Sequence, residues 1–331
     1  MTRARQGPSP EDILVGGQAV IEGVMMRTPR AYAVAVRRAD GSLEVKKEPV
    51  RRISEYWKPL SLPVVRGFAV LVQSLALGIR TLNFSFNRAM QDLEPENEKK
   101  IAAAKKKEGE FLPIVLSMAG AAAVAVFLFI LAPLWITTWL KDYFTAIHNW
   151  VVFNVVDGLI RVVFFLAYIL LISRMKDIRR VFQYHGAEHK SIYTYEAGET
   201  LTLANARKYS TLHPRCGTAF LLMVLLLSIV LFSLVFPVLP RLLGLPPAVR
   251  TGVYIVAKIL LLVPIAGLSY EWIRFTGKAT PHPAIRWLMQ PGLWLQRLTT
   301  REPSDDQVEI GLCALTRAIA LERGSNPESI G

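Results

Sequence analysis

Two of the chain's five histidines stand at a spacing that suits a metal ion. His185 and His189 are four residues apart, so on a helix both imidazoles project from one face and converge on a single ion. Glu188 lies beside them and completes the order His-x-x-Glu-His. This order is the inverted zinc-hydrolase motif, in which two histidines bind the metal and the glutamate acts as general base on water. The spacing therefore predicts a site for Zn²⁺, or another divalent metal, with Glu188 as the catalytic base.

A second short motif, His213-Pro-Arg-Cys216, offers further ligands. Neutral imidazole and thiolate both bind zinc well, and the two helical histidines with His213 and Cys216 would make a closed, structural site. The same two histidines with Glu196 or Glu271 would instead leave one position open to water, as in a catalytic site. Two plainer interpretations stand beside these: the histidines form hydrogen bonds at a headgroup interface, and Cys216 is a small buried residue.

The elements that must position these residues begin with a small N-terminal unit. Residues 1–58 are predicted to be β-rich and cytoplasmic, because AYAVAVRR and SLEVKKEP alternate apolar and polar residues and flank the hairpin signal Ala39-Asp40-Gly41. Glycines ahead of this hairpin indicate unusual backbone conformations or a close approach of another chain segment. Glu22 is a further candidate site residue; otherwise it caps the backbone or pairs with Arg27.

Composition indicates a membrane protein. The 331 residues are 52% hydrophobic and only 20% charged, against about 25% charged in an average soluble domain. The apolar residues are massed in blocks, which excludes disorder, collagen and coiled coil, and two cysteines exclude a disulfide scaffold. Because a span needs about 20 apolar residues, the blocks predict four transmembrane helices. These are residues 111–140, 150–173, 217–240 and 251–270.

The remaining segments are predicted to lie outside the bilayer. Residues 59–92 form an interfacial or re-entrant helix, since the uncharged run from Gly67 to Ile79 is too short to span. Residues 93–110 are a charged linker, residues 174–216 a cytoplasmic loop that carries both motifs, and residues 271–331 a cytoplasmic helical tail. The fold class is thus a mainly α membrane protein with a small β-hairpin unit.

The basic residues predict the orientation. The net charge is +13, and 34 of the 39 lysines and arginines lie before residue 111, in the 174–216 loop or after residue 270. The positive-inside rule places these parts, and both termini, in the cytoplasm of a multi-pass plasma-membrane protein. Attraction to anionic headgroups follows from the same charge. No nucleic-acid motif is present, so nucleic acid is not an expected partner.

Three charged residues fall within the predicted spans. Asp157 and Lys258 each lie about 10 Å below the outer surface, and Arg161 is one helical turn beyond Asp157. Because buried charges are costly unless paired, we expect Asp157 to be shared between the two cations. The alternative is that Lys258 extends outward to the interface and the cluster does not form.

Four motifs together resemble one bacterial family. The chain is similar to the YqhQ family over residues 12–321, and the resemblance is carried by GGQAVIEGVMMR at 16–27, YHGAEHK at 184–190, HPRCGT at 213–218 and PGLWLQRLTTREP at 291–303. The resemblance implies a polytopic membrane protein with a metal site, in a family of unknown function often labelled as predicted metal-dependent enzymes. It implies no substrate.

Two functions are compatible with these residues. The first is a metal-dependent hydrolase at the cytoplasmic membrane face, acting on a lipid or a membrane-proximal peptide. The second is a transporter or assembly factor whose metal, if any, is structural, and the charges within the spans favour it because such charges often line solute paths. Neither a substrate nor an oligomeric state is indicated by the sequence.

Overall fold

The structure is a computed structural model that describes residues 13–51, 58–93, 111–236, 238, 247–276 and 283–324. The predicted charged linker, apart from residue 93, lies outside the described residues, as do residues 1–12, 241–246 and 325–331. The described part of the chain is mainly helical, with one small antiparallel sheet. Its helices are α1 (Val65–Leu93), α2 (Phe111–Val126), α3 (Ala132–Lys141), α4 (Trp150–Ile172), α5 (Lys176–Glu196), α6 (Leu203–Ala206), α7 (Gly217–Val235), α8 (Pro247–Thr276), α9 (Pro283–Thr299) and α10 (Asp305–Arg323).

The sheet has four strands in sequential order: β1 (Gly16–Val20), β2 (Gly23–Arg27), β3 (Ala31–Arg37) and β4 (Leu43–Pro49). The predicted hairpin forms its second half, β3 with β4. The first half was not predicted as strands, because β2 is apolar without alternation. Such a run suits a strand that is covered on both faces.

Helices cover both faces of this sheet. On one face, α5 and α10 share a buried core with β2 and β3 that includes Val24, Ala35, Tyr184, Ile310 and Leu315. Helix α10 lies within the helical tail expected over residues 271–331, and its apolar stripe faces the sheet. On the opposite face, α1 supplies Leu77 and Phe84 to a second cluster with the other side chains of the same strands.

Five helices in the described residues are long and apolar enough to cross a membrane. Four of them correspond to the predicted spans: α2 with α3, joined by the π-helical turn Phe127–Leu131, then α4, α7 and α8. The fifth is α1, whose 29 residues extend well beyond the uncharged run seen in the sequence. Outward-facing apolar side chains such as Val163 and Leu234, each 63% exposed, suit a lipid environment. These helices indicate a membrane protein.

Candidate metal centre

Helix α5 brings His185 and His189 together on one face, as their spacing predicts. The two ring centroids are 4.4 Å apart. Cys216, the residue just before α7, approaches them from the other side, with its Sγ 3.1 Å from Nε2 of His185. One ligand atom from each of the three residues lies within 4.8 Å of the others. Ligands of a tetrahedral zinc ion lie about 3.5 Å apart, so these three suit such an ion.

Backbone carbonyls fix the orientation of both imidazoles. Nδ1 of His185 lies 2.8 Å from the carbonyl oxygen of Thr299, and Nδ1 of His189 lies 2.5 Å from that of Thr211. Each Nδ1 therefore carries a proton and donates it to a carbonyl oxygen, so Nε2 is the nitrogen that has the lone pair whenever the ring is neutral. Nε2 of His189 is buried and has no hydrogen-bond partner among the described residues. A buried nitrogen in that state is the kind of atom that a metal ion would satisfy.

The cluster is strongly polarised. Burial disfavours charge on His185, but the adjacent Cys216 thiolate outweighs burial and raises the pKa of His185 to about 10. Burial would raise the pKa of the Cys216 thiol, but His185 and His189 hold it well below its usual value. Cys216 also accepts a hydrogen bond from the backbone N–H of Thr218 at the start of α7. These contacts favour the thiolate, the form that binds metals and acts as a nucleophile.

Glu188 lies at the edge of this cluster, against the sheet. Its carboxylate is buried and accepts a hydrogen bond from the backbone N–H of Ala19 in β1. Burial raises the pKa of Glu188 to about 8, which the charge on His185 only partly offsets. A Cβ at Gly17 would stand 2.7 Å from the Glu188 side chain, so glycine is needed there for the strand to approach so closely. A carboxylate with a pKa near neutrality suits general acid–base chemistry.

His213 lies next to the cluster but does not join it. Its ring is 5.6 Å from that of His189. Nδ1 of His213 accepts from the backbone N–H of Arg215, and its Nε2 lies 3.3 Å from Glu196. Both nitrogens are therefore occupied, and burial lowers the pKa of His213 to about 4, so the ring is neutral. The closed four-ligand arrangement does not form.

The two carboxylates considered as alternative ligands have other partners. Glu196 pairs with Arg215, and Glu271 forms a two-pronged ion pair with Arg66. Neither belongs to the group of described residues whose ligand atoms lie close together.

Glu22 is not part of the cluster either. It sits at the turn between β1 and β2 with a left-handed φ of 54° and pairs with Arg180. The alternative that it pairs with Arg27 is therefore wrong. Its contact with the Tyr184 hydroxyl, 3.3 Å long, ties this turn to α5. Glu22 thus fastens the sheet to the helix that carries the two histidines.

The charges within the spans form a pair rather than a triad. Arg161 donates to Asp157 at 2.9 Å along one face of α4. Lys258 makes no ion pair with Asp157 among the described residues and lies over the rings of Phe232 and Phe236, 5.8 and 5.6 Å from their centroids. Asp157 therefore forms a close ion pair with Arg161 alone among the described residues, while Lys258 lies near enough to interact electrostatically with both Asp157 and Arg161. Cation–π contact compensates a desolvated ammonium group in its place.

Sequence reasoning missed the groups that support the ligands. The carbonyls of Thr211 and Thr299 carry no side-chain signal. The glycines ahead of the hairpin did indicate a close approach, but not that Glu188 is the side chain that approaches Gly17. Three of these groups nevertheless lie within or beside the motifs that carried the family resemblance: Gly17 in GGQAVIEGVMMR, Thr299 in PGLWLQRLTTREP, and Thr211 two residues before HPRCGT. The motifs were therefore a signal for the supporting groups as well as for the ligands.

The fold and the cluster together define a class: a polytopic α-helical membrane protein with a sheet-and-helix unit that holds a buried His–His–Cys group. The chain belongs to the DUF1385 family of proteins of unknown function, whose model matches residues 62–321. It is 32% identical over 311 residues to the uncharacterized protein YqhQ of Bacillus subtilis (strain 168), covering 93% of this chain and 92% of that protein. No solved structure matches. The resemblance to the YqhQ family is thus confirmed, and neither description carries an activity.

Proposed function

We propose that the chain is a metal-dependent hydrolase of the plasma membrane, with His185, His189 and Cys216 as ligands of Zn²⁺ or a similar divalent ion. The observation that carries this proposal is the buried Nε2 of His189, which has no partner among the described residues and lies beside two further ligand atoms. Two nitrogens and a thiolate are a donor set that zinc prefers. Three ligands with an open fourth position are typical of catalytic zinc.

Glu188 is the general base in this proposal. Zinc with an open position makes water nucleophilic near neutral pH. Glu188 is held by the N–H of Ala19 at the edge of the cluster, where its carboxylate accepts a proton from water and later returns it to the leaving group. His185 and His189 hold their ligand nitrogens in place through the two carbonyl contacts.

Membrane topology in this proposal follows from the shared core. The sheet, α5 and α10 pack in one cluster, so they lie on one side of any bilayer. The chain must then cross the bilayer an even number of times between the sheet and α5, and again an even number of times between α5 and α10. Three candidate spans lie between β4 and α5, so at most two of them cross. The last two candidates, α7 and α8, both cross.

Helix α1 is the candidate that does not cross. Its side chains contact the sheet along most of its length, from Ser74, which binds Arg27, to Asp92, which binds Arg38. Its outward face is a stripe of exposed apolar residues at helical spacing, which suits an interfacial helix. The stripe consists of Val72, Leu75, Ile79, Leu82, Phe86 and Met90. Four spans then cross, and the positive-inside rule places both termini in the cytoplasm.

Metal content tests the centre directly. We expect detergent-purified protein that has never met a chelator to carry about one zinc per chain, and His185→Ala/His189→Ala protein to carry none. Arg179→Ala, on the same helix but away from the cluster, serves as the matched control. Negligible metal in both the wild-type protein and the double variant would contradict the proposal. The cluster would then be a hydrogen-bonded pair of Cys216 and His185 without a metal.

Two further variants separate a catalytic centre from a structural one. Glu188→Gln keeps the shape of the side chain but removes the base, so a hydrolase should keep its metal and lose turnover. Cys216→Ser removes a ligand and should release the metal. Unchanged function in Glu188→Gln protein with full metal would favour a structural site.

A second candidate function is solute transport. It is favoured by the Asp157–Arg161 pair, which lines a cavity of about 450 Å³ beside α4 and α7. Oδ1 of Asp157 and Nη2 of Arg161 are buried there without hydrogen-bond partners among the described residues. Polar groups left in that state within a span often mark a solute or proton path. Asp157→Asn would then abolish function while the metal content of the protein stayed unchanged.

A further inference from the structure

A cavity of about 700 Å³ opens beside the candidate metal centre. Glu188, His189 and Cys216 line one side of it. Strands β1 and β2 form a second side, and the ends of α1 and α8 form the remainder, with Val70 and Tyr270 among their contributions. A molecule bound in this cavity would touch both the centre and the ends of two apolar helices.

The charge of the cavity is one-sided. Four arginines line it, and Glu188 is the only carboxylate among its described lining residues. Two of these arginines are neutralised from outside the lining, Arg66 by Glu271 and Arg215 by Glu196. The other two, Arg27 and Arg274, have no carboxylate within 4.0 Å in the part of the chain that the structure describes.

Arg27 is the more informative of the two. It ends β2 and is largely shielded from solvent, and its guanidinium donates to Oγ of Ser74 at 2.7 Å. Burial holds the pKa of Arg27 below its ordinary value, so its charge is poorly compensated by the protein. The one acidic residue near it in sequence, Glu22, is engaged by Arg180. A half-buried cation without a counterion within 4.0 Å is a favourable place for a ligand that supplies the anion.

We propose that this cavity binds the anionic group of the molecule on which the centre acts, a phosphate-type group held by Arg27 with Arg274. This inference rests on the proposed function, because it assigns the cavity to the substrate of Glu188. The planar fork of arginine suits two-pronged binding of phosphate oxygens. Since α1 and α8 frame the cavity, the phosphate belongs to a lipid headgroup, whose chains would lie along these helices.

Ligand binding by the full-length protein in a neutral detergent tests this without an activity assay. The probes are dihexanoylphosphatidylglycerol, dihexanoylphosphatidylcholine and inorganic phosphate, with the thermal midpoint and Kd as readouts. We expect the anionic lipid to raise the midpoint, and Arg27→Gln to weaken its binding by about tenfold or more. Arg27→Lys should keep part of the affinity. Arg80→Gln removes an exposed arginine of α1 outside the cavity and should change nothing.

The outcomes distinguish the source of the anion and the fate of each proposal. Equal binding of the choline lipid, or wild-type affinity in Arg27→Gln protein, would overturn the inference. If inorganic phosphate bound as tightly as the anionic lipid, the anion site would stand, but the conclusion that the anion belongs to a lipid would be overturned. Anion binding that persists in metal-free His185→Ala/His189→Ala protein supports this site even if the hydrolase proposal fails. Normal metal content with no anion preference overturns this inference alone.

Discussion

At the scale of single residues, the centre depends on groups that have no side-chain signature. Thr211 and Thr299 act through their carbonyl oxygens, which set the tautomers of His189 and His185. The meeting of His185, His189 and Cys216 was predictable, because histidine and cysteine are rare in this chain and these three lie in two short motifs. The exclusion of His213 was not, since it depends on Arg215 and Glu196 occupying its two nitrogens.

Gly17 gives a sharp prediction at this scale. A methyl group there would stand 2.7 Å from Cγ of Glu188 and 2.9 Å from its Oε1, so Gly17→Ala must push the carboxylate away from the cluster. We expect a loss of stability of about 1–3 kcal/mol, seen as a lower thermal midpoint, with metal content unchanged. Gly16→Ala is the matched control, because a Cβ at Gly16 meets nothing within 4 Å.

A double-mutant cycle identifies the contact that is responsible. Truncating the partner in Glu188→Ala protein removes the Cγ, Cδ and Oε1 atoms that the new methyl group would meet. The penalty of Gly17→Ala should then largely disappear, because the two changes act on one contact and are not additive. A penalty of the same size in both backgrounds would mean that β1, and not Glu188, is what the methyl group disturbs.

His213 predicts a dependence of stability on pH. Burial lowers its pKa to about 4 in the folded protein, against about 6.5 in an unfolded chain. The unfolded state therefore takes up the proton first, and stability falls as the pH decreases from about 6.5 to 4, by up to about 3 kcal/mol. The measurement is the thermal midpoint in detergent between pH 7 and pH 5. His213→Asn should flatten this slope, and an unchanged slope would contradict the assignment.

At the scale of elements, the sequence patterns that were readable had either one covered face or a strong turn signal. β4 and α10 each present one face to a core, and β3, although covered on both faces, was predicted together with β4 because the turn Ala39-Asp40-Gly41 joins the two strands. Strand β2 lies between α1 on one face and α5 with α10 on the other, so it lacks alternation. Helix α1 runs over Val65–Leu93, against an expected helix over residues 59–92, although Arg80 and Arg88 interrupt its apolar residues.

The exposed stripe of α1 predicts how deeply this helix enters the bilayer. Val72, Ile79 and Phe86 lie on one face over about 21 Å of helix. An interfacial helix places spin labels at Val72→Cys, Ile79→Cys and Phe86→Cys at equal depth, measured by collisional quenching in a Cys313→Ser background. A spanning α1 would separate neighbouring labels by about 10 Å of depth. Labels at Leu221→Cys and Leu234→Cys in α7 provide the contrasting, unequal pair.

At the scale of the whole molecule, the sheet links the two ends of the chain. Glu322 near the end of α10 accepts hydrogen bonds from Thr28 and Arg30 in the β2–β3 turn. The first strands and the last helix therefore share one compartment, whatever the number of crossings between them. A hydropathy count alone cannot supply this constraint, because it treats each apolar helix separately. When the shared compartment is combined with the proposed interfacial position of α1, four of the five candidate helices cross the membrane.

Side-specific labelling tests the arrangement as a whole. In Cys313→Ser protein, we expect a membrane-impermeant maleimide to reach His148→Cys only from outside the cell, because this residue follows the first of the four crossings. Ser42→Cys in the β3–β4 turn and Ala204→Cys in α6 should react only in inverted vesicles. Cys216 is 5% exposed and should stay unlabelled in both. If Ser42→Cys and Ala204→Cys reacted from opposite sides, the sheet and α5 would lie on opposite sides of the membrane. That result would contradict both the shared core and the candidate metal centre.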